Sequence, residues 1–304
     1  MSESPVTVPV CYRHPSKETY VRCTRCERPI CPDCMNEASV GHQCPECVAD
    51  GRRTQRSART AFGGSAAGRS GLVTKILIGI NVFVMLVSVL SGGATAIAGG
   101  GMGGLLGDST PLTDWGSVLG AAAYGPAGQV EVHGIAGNHE WYRLITAMFL
   151  HYGVLHLLMN MYALWILGRE LERALGPLRY LGLYFLAGLG GNVAAYVFTE
   201  PNVPTAGAST AVFGLMAALF VLLKRLNLSV APILPVIVIN VIFTFVISNI
   251  SKAGHLGGLL VGGLVGAILA YAPREKRNLV QGGGIAVVFA ALLAAAVLRT
   301  LSLL

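Results

Sequence analysis

The chain has 304 residues, of which 53% are apolar and 12% charged, where an ordinary soluble domain carries about 25% charged residues. A mean hydropathy of +0.61 over this length cannot be hidden in one soluble core, and the composition excludes a disordered chain, a collagen, a coiled coil and a disulfide-rich secreted scaffold. The net charge is +7, but residues 1–50 hold 5 Lys/Arg against 7 Asp/Glu (−2), residues 51–76 hold 6 Lys/Arg and no acid (+6), and the remainder holds 11 against 8 (+3), so the basic excess marks membrane orientation rather than a nucleic-acid clamp.

In chain order, the start Met-Ser-Glu-Ser-Pro has neither a basic n-region nor an apolar h-region, so no signal peptide is expected. All seven cysteines then fall between Cys11 and Cys47, spaced Cys11-x2-His14, Cys23-x2-Cys26, Cys31-x2-Cys34 and His42-x-Cys44-x2-Cys47. Four ligand pairs supply eight donors, enough for two tetrahedral Zn2+ sites, and thiolates with imidazole are the donors Zn2+ prefers. Disulfides are the alternative use of these residues; a reducing cytoplasm disfavours them. An interleaved arrangement would put Cys11, His14, Cys31 and Cys34 on one ion and Cys23, Cys26, Cys44 and Cys47 on the other, with His42 a spare able to replace one thiolate. This spacing resembles B-box-type cross-brace fingers. The expected role of residues 1–50 is structural, or a docking surface for a cytoplasmic protein partner. Residues 51–71, rich in Gly, Ser, Ala and Arg, read as a flexible basic linker.

A transmembrane domain follows over 72–304. Crossing about 30 Å of hydrocarbon takes roughly 20 helical residues. Helices are predicted near 72–90, 144–168, 178–198, 208–223, 232–249, 254–272 and 285–303, the last with Arg299 snorkelling to the interface. With seven spans, the 51–71 linker, Arg169/Arg173/Arg179, Lys224/Arg225 and Arg274/Lys276/Arg277 all fall on one side. Positive-inside bias makes that side the cytoplasm, with the N-terminus in and the C-terminus out. Glu172 and Arg173 are expected to tie cytoplasmic loops together. The long Gly-rich stretch 91–140 lies outside, with room for short helical or re-entrant pieces.

Ionisable groups inside spans are costly and point to function. The second span carries His151-x4-His156-x3-Asn160, and His156 and Asn160 share a helix face. The fourth opens with Gly207-Ala208-Ser209-Thr210. The sixth opens with His255 and carries Gly254, Gly258, Gly262 and Gly266 at four-residue spacing. Taken singly, these read as interhelical hydrogen bonds, a helix cap and a packing groove. Topology unites them: spans two, four and six all begin on the outer side. His156, Asn160, Ser209 and His255 can then lie at one depth, giving a hydroxyl, a base and hydrogen-bond donors together.

On these residues the chain resembles the rhomboid-family intramembrane serine proteases. Trp141-Tyr142-Arg143 compares with the family's outer-loop Trp-Arg signature, and His151, His156 and Asn160 with its His-x4-His-x3-Asn. Gly207-Ala208-Ser209-Thr210 compares with its Gly-x-Ser-Gly, and His255, Gly258 and Gly262 with its late His and following glycines. The resemblance covers roughly 72–272 and implies a six-helix core, to which 285–303 adds a seventh helix. It implies a Ser–His dyad without an acidic third member. Ser209 would be the nucleophile and His255 the base, and the Ser209 N–H, His156 and Asn160 the oxyanion donors. Phe213 would stack on His255, with Gly207, Gly258, Gly262, His151 and Arg143 in support. No cofactor is implied for the chemistry, and the substrates would be membrane-protein helices entering past the fifth span. Here Thr210 stands where the family has glycine, and Tyr142 separates Trp141 from Arg143. An inactive relative that binds and escorts membrane clients, or a transporter using the histidines as a proton relay, are the competing readings.

Overall fold

In hydrocarbon a helix is favoured because it satisfies every backbone N–H and C=O within its own segment, and the long apolar runs of this chain fold accordingly. The computed structural model describes residues 8–54, 59–65, 71–99, 107–124, 131–247 and 250–304, and the chain divides into two units, Met1–Ser57 and Ala58–Leu304.

The first unit has little regular structure. A 3-10 turn at Pro32–Cys34 is followed by a minimal antiparallel pair, β1 (Asn36–Glu37) and β2 (His42–Gln43), and by α1 (Pro45–Thr54). Its core is not aliphatic: among the described residues, those buried are cysteines apart from Ile30 and Thr19.

The second unit is helical. It comprises α2 (Leu72–Gly92), α3 (Pro111–Gly116), a hairpin of β3 (Ala122–Tyr124) and β4 (Glu131–His133), α4 (Ile135–Asn138), α5 (Arg143–Thr146), α6 (Val154–Leu175), α7 (Pro177–Phe198), α8 (Ser209–Arg225), α9 (Leu234–Val246), α10 (Lys252–Tyr271) and α11 (Arg277–Leu303). The protein is thus a multi-pass, mostly helical membrane protein. By length and composition α2, α7, α10 and α11 suffice to cross a bilayer, and the bent pair 143–149 and 154–175 would do so only if it is taken as one broken span; α8, with 17 residues, and α9, with 13, are shorter.

Several boundaries differ from the sequence expectation. The span expected over 144–168 is broken. Residues 143–149 meet α6 at 90°, because Leu150 is extended and Gly153 takes φ +92°. His151 therefore lies in the break, ahead of α6. The helix expected over 232–249 is α9, with Pro235 in its first turn; residues 248–249 lie outside the described residues. The last helix begins at Arg277 rather than near 285 and runs through Gly282–Gly284. Its Arg299 Nε donates to the Tyr196 carbonyl at 3.4 Å, near the end of α7.

The expected linker also contains structure. Residues 51–54 belong to α1, and 59–65 form a turn closed by a bridge between Arg59 and Ser65. Phe62 of that turn is buried in the core of the helical unit, and its carbonyl accepts from Gln281. Residues 55–58 and 66–70 lie outside the described residues. Glu172 has a defined role: it accepts from the N–H groups of Val73 and Thr74, both at 3.0 Å, and from the Thr74 hydroxyl at 2.8 Å. A carboxylate at the start of α2 satisfies orphan donors where the preceding residue, Gly71, has no side chain to do so.

Two features position the site. The first is the contact of α8 with α10 and α7. A Cβ on Gly258 would lie 2.0 Å from the Thr210 carbonyl oxygen, and one on Gly262 would lie 2.2 Å from the Gly214 Cα, so the two backbones touch. The second is the 107–147 segment, organised by Arg143. That guanidinium is fully buried; it donates to the carbonyls of Asp114 (2.7 Å) and Ser117 (3.0 Å) and pairs with Glu140. The segment then grips the chain entering α8: Val118 and Thr205 exchange two backbone hydrogen bonds, and the Gly207 N–H donates to the Ala147 carbonyl at 2.9 Å.

Candidate active site

Ser209 is the first residue of α8, and His255 sits in the first turn of α10. The glycine-lined approach of these helices brings the Ser209 Oγ to 2.8 Å from the His255 Nε2. Phe213, one turn beyond Ser209, stacks on the imidazole with ring centroids 4.1 Å apart and planes 21° apart. His255 is buried while Ser209 is partly exposed, so the hydroxyl face of the pair is the accessible one. A hydroxyl hydrogen-bonded to an oriented imidazole is the arrangement that activates a serine nucleophile.

Next to the hydroxyl is a small cradle. Gly207 has φ +143°, and a Cβ there would stand 3.0 Å from the His156 ring and 3.3 Å from the Ser209 Oγ. A side chain would fill the space between serine and imidazole; glycine leaves it open. The Tyr152 N–H donates to the His156 Nδ1 at 3.4 Å. That fixes Nδ1 as an acceptor and leaves Nε2–H as the donor facing the cradle. The first N–H groups of α8 have no helical partners and add positive potential at the same place. Asn160 is buried one turn along α6, with one amide N–H donating to the His156 carbonyl at 2.9 Å.

The other expected residues are placed as follows. His151 is buried, packs edge-on against His156 at 5.0 Å, and accepts a 3.5 Å contact from the Ala208 N–H, holding the loop before Ser209. Arg143 holds the loop segment, through the carbonyls of Asp114 and Ser117. Tyr142 rather than Trp141 is its aromatic neighbour, 5.8 Å from the guanidinium, and Tyr142 in turn stacks on Trp115. Thr210 fits without glycine because its own neighbours are glycines: a Cβ on Gly191 would lie 2.5 Å from the Thr210 Cβ. One neighbour escaped the sequence reading. The Thr244 hydroxyl of α9 is 2.8 Å from the His255 Nδ1, on the far side of the ring from Ser209. A threonine in a strongly apolar helix carries no pattern that marks it.

With this geometry in view, comparison with known proteins is decisive. A family model described as the rhomboid domain matches residues 138–272. The Bacillus subtilis protein YdcA is 39% identical over 146 residues, which are 46% of this chain and 72% of YdcA. The chain belongs to the rhomboid family. Rhomboid protease GluP of Bacillus subtilis is 42% identical over 135 residues, 43% of this chain and 26% of GluP. Inactive RHOMBOID-like protein 8 of Arabidopsis thaliana is 33% identical over 146 residues, 46% of this chain and 41% of that protein. The chain thus spans only about a quarter of GluP, and the rhomboid match covers α5 to α10 without α2, α11 or the cysteine-rich unit.

In that unit, two groups are assembled as the interleaved arrangement requires: Cys11, His14, Cys31 and Cys34, and Cys23, Cys26, Cys44 and Cys47, each with its donor atoms within 4.8 Å of one another. His42 belongs to neither group; its backbone carbonyl accepts from Thr24. The His14 Nδ1 lies 3.2, 3.4 and 3.8 Å from the sulfurs of Cys31, Cys34 and Cys11, and the Cys26 and Cys44 sulfurs are 3.8 Å apart. Tetrahedral Zn2+ with bonds of about 2.0–2.3 Å demands donor separations of about 3.3–3.8 Å, and these separations lie within about 0.1 Å of that range. Burial pushes the Cys34 thiol up to about 11, reinforced by the neighbouring Cys11 and Cys31 sulfurs. Burial also opposes ionisation of Cys11, yet the N–H groups of Arg13, Cys31 and His14 outweigh it and hold that thiol at about 6. A divalent cation would remove the remaining conflict between adjacent thiolates.

Proposed function

We propose that the protein is an intramembrane serine endopeptidase that cuts the helices of other membrane proteins. The observation that carries this reading is the 2.8 Å contact between the Ser209 Oγ and the His255 Nε2, with Phe213 stacked on the ring. Ser209 attacks the scissile carbonyl while His255 takes its proton, then returns it to the leaving amine. The developing oxyanion occupies the cradle over Gly207, held by the Ser209 N–H and the His156 Nε2–H, with the Asn160 amide one turn behind. Water attacks the acyl-enzyme by the same route in reverse.

The reaction runs near the outer surface. Basic residues mark one membrane side as cytoplasmic, including Lys224 and Arg225 at the far end of α8. Seventeen residues rise about 26 Å, short of about 30 Å of hydrocarbon, so with those cations at the inner surface Ser209 lies below the outer one. Substrate helices must unwind locally to offer a peptide bond, so small or helix-breaking residues are expected near the cut. No cofactor takes part in the chemistry. The Met1–Ser57 unit binds two structural Zn2+ through the eight ligands above and offers a surface to a cytoplasmic protein partner; nucleic acid is not a partner.

A rhomboid-like escort without activity is the second reading, favoured only by the inactive Arabidopsis relative. A fluorophosphonate probe separates the two. Labelling that is lost in Ser209→Ala supports the peptidase; an unlabelled Ser209 supports the escort.

A further inference from the structure

The imidazole of His255 is held from both sides, and the second hold comes from a different helix. Nε2 faces Ser209, while Nδ1 lies 2.8 Å from the Thr244 Oγ1. Thr244 is the one buried residue of α9, whose other residues are half-buried or exposed. The same Thr244 Oγ1 lies 2.8 Å from the Asn240 carbonyl oxygen one turn back. A backbone carbonyl can only accept, and a hydroxyl has one proton. The Thr244 proton therefore goes to Asn240, and its oxygen is left to accept. The partner facing that oxygen must then donate, which places the imidazole proton on Nδ1. Nε2 is left with its lone pair toward Ser209, the form a general base requires.

We infer that Thr244 is a positioning residue that sets the tautomer and orientation of His255, completing a hydroxyl–imidazole–hydroxyl relay where no carboxylate is present. The inference rests on the peptidase reading for its effect on rate, but not for its effect on the ring. Thr244 touches neither substrate nor the reacting atoms; it acts through His255. It also makes the seating of α9 a condition for an active base, since Asn240 and Thr244 both belong to that helix.

The test uses the full chain in detergent with a model transmembrane-helix substrate. Thr244→Val keeps the shape and removes Oγ1, while Thr244→Ser keeps the hydroxyl. In Thr244→Val, kcat and the rate of fluorophosphonate labelling of Ser209 fall about tenfold with KM little changed, the loss expected for one hydrogen bond to the base. Thr244→Ser stays within about twofold of the parent. In 15N spectra of histidine-labelled protein, the ring signal that disappears in His255→Ala shows a protonated Nδ1 in the parent and in Thr244→Ser, and a mixture of tautomers in Thr244→Val. A parent ring protonated on Nε2, or a Thr244→Val variant with unaltered kcat and ring signal, would overturn the inference. A parent that neither cleaves nor labels would refute the peptidase reading instead, and the ring spectrum would still decide the role of Thr244.

Discussion

Gly207 has two reasons to be glycine: its φ of +143° is one that L side chains rarely adopt, and a Cβ would intrude between the His156 ring and the Ser209 hydroxyl. Gly207→Ala should therefore reduce cleavage more than it reduces stability, which parallel measurements of kcat and of detergent thermal denaturation would show. In the proposed mechanism His156→Ala removes one oxyanion donor, and kcat should fall about 10²–10³-fold with KM nearly unchanged. Glu140 governs a pH dependence. Burial pushes its carboxyl up, but the Arg143 guanidinium, the Gly134 N–H and His133 outweigh that and hold it below the usual glutamate value. A group depressed on folding stabilises the fold above its unfolded pKa and loses that contribution as pH falls through the folded value. Thermal stability should thus drop on acidification from roughly pH 6 to pH 3, and Glu140→Gln should lower the plateau and flatten the slope. His156 was legible in the sequence because an ionisable group in an apolar run is conspicuous, and Gly207 because it opens the Ser209 run; Glu140 was not marked by any pattern. Nor was Thr244, because a hydroxyl residue within Leu234–Val246 is ordinary in any helix whose backbone can absorb its proton.

At the scale of elements, the site depends on how closely α8 and α10 approach. Glycine spacing at 254, 258, 262 and 266 foretold a close helix pair, and the structure gives it a partner: the Thr210 and Gly214 backbone. Gly262→Val would force that backbone apart and should cost about 1–3 kcal/mol or more, read as a lowered denaturation midpoint, with activity lost in step. Helix positions were legible because hydrocarbon demands length and apolarity. Helix ends were less so. The 90° break before α6 rests on the extended Leu150 and on Gly153, beside His151 and Tyr152, and hydropathy averages such a break away. The extension of α11 to Arg277 was hidden for the opposite reason, since three glycines normally argue against a helix. There the helix is held from outside its own sequence, by Arg179 donating to Gln281 and Asn278.

At the scale of the molecule, two units obey different physics. The helical unit buries apolar surface, while Met1–Ser57 buries sulfur and little else, so its stability should come from metal. Metal analysis of the purified full chain should return about two Zn2+, and chelation should expose the cysteines to thiol reagents. Residues 11–47 alone carried that reading, because a ligand pattern is local. The peptidase reading is not local; it required three spans of one polarity, and helix order supplied it. The whole account turns on Ser209 being an activated nucleophile. The most direct measurement is cleavage of a model membrane helix by the purified parent, Ser209→Ala and His255→Ala proteins. The account predicts two fragments from the parent and an intact substrate with either variant; fragments produced by either variant at the parent's rate would contradict it.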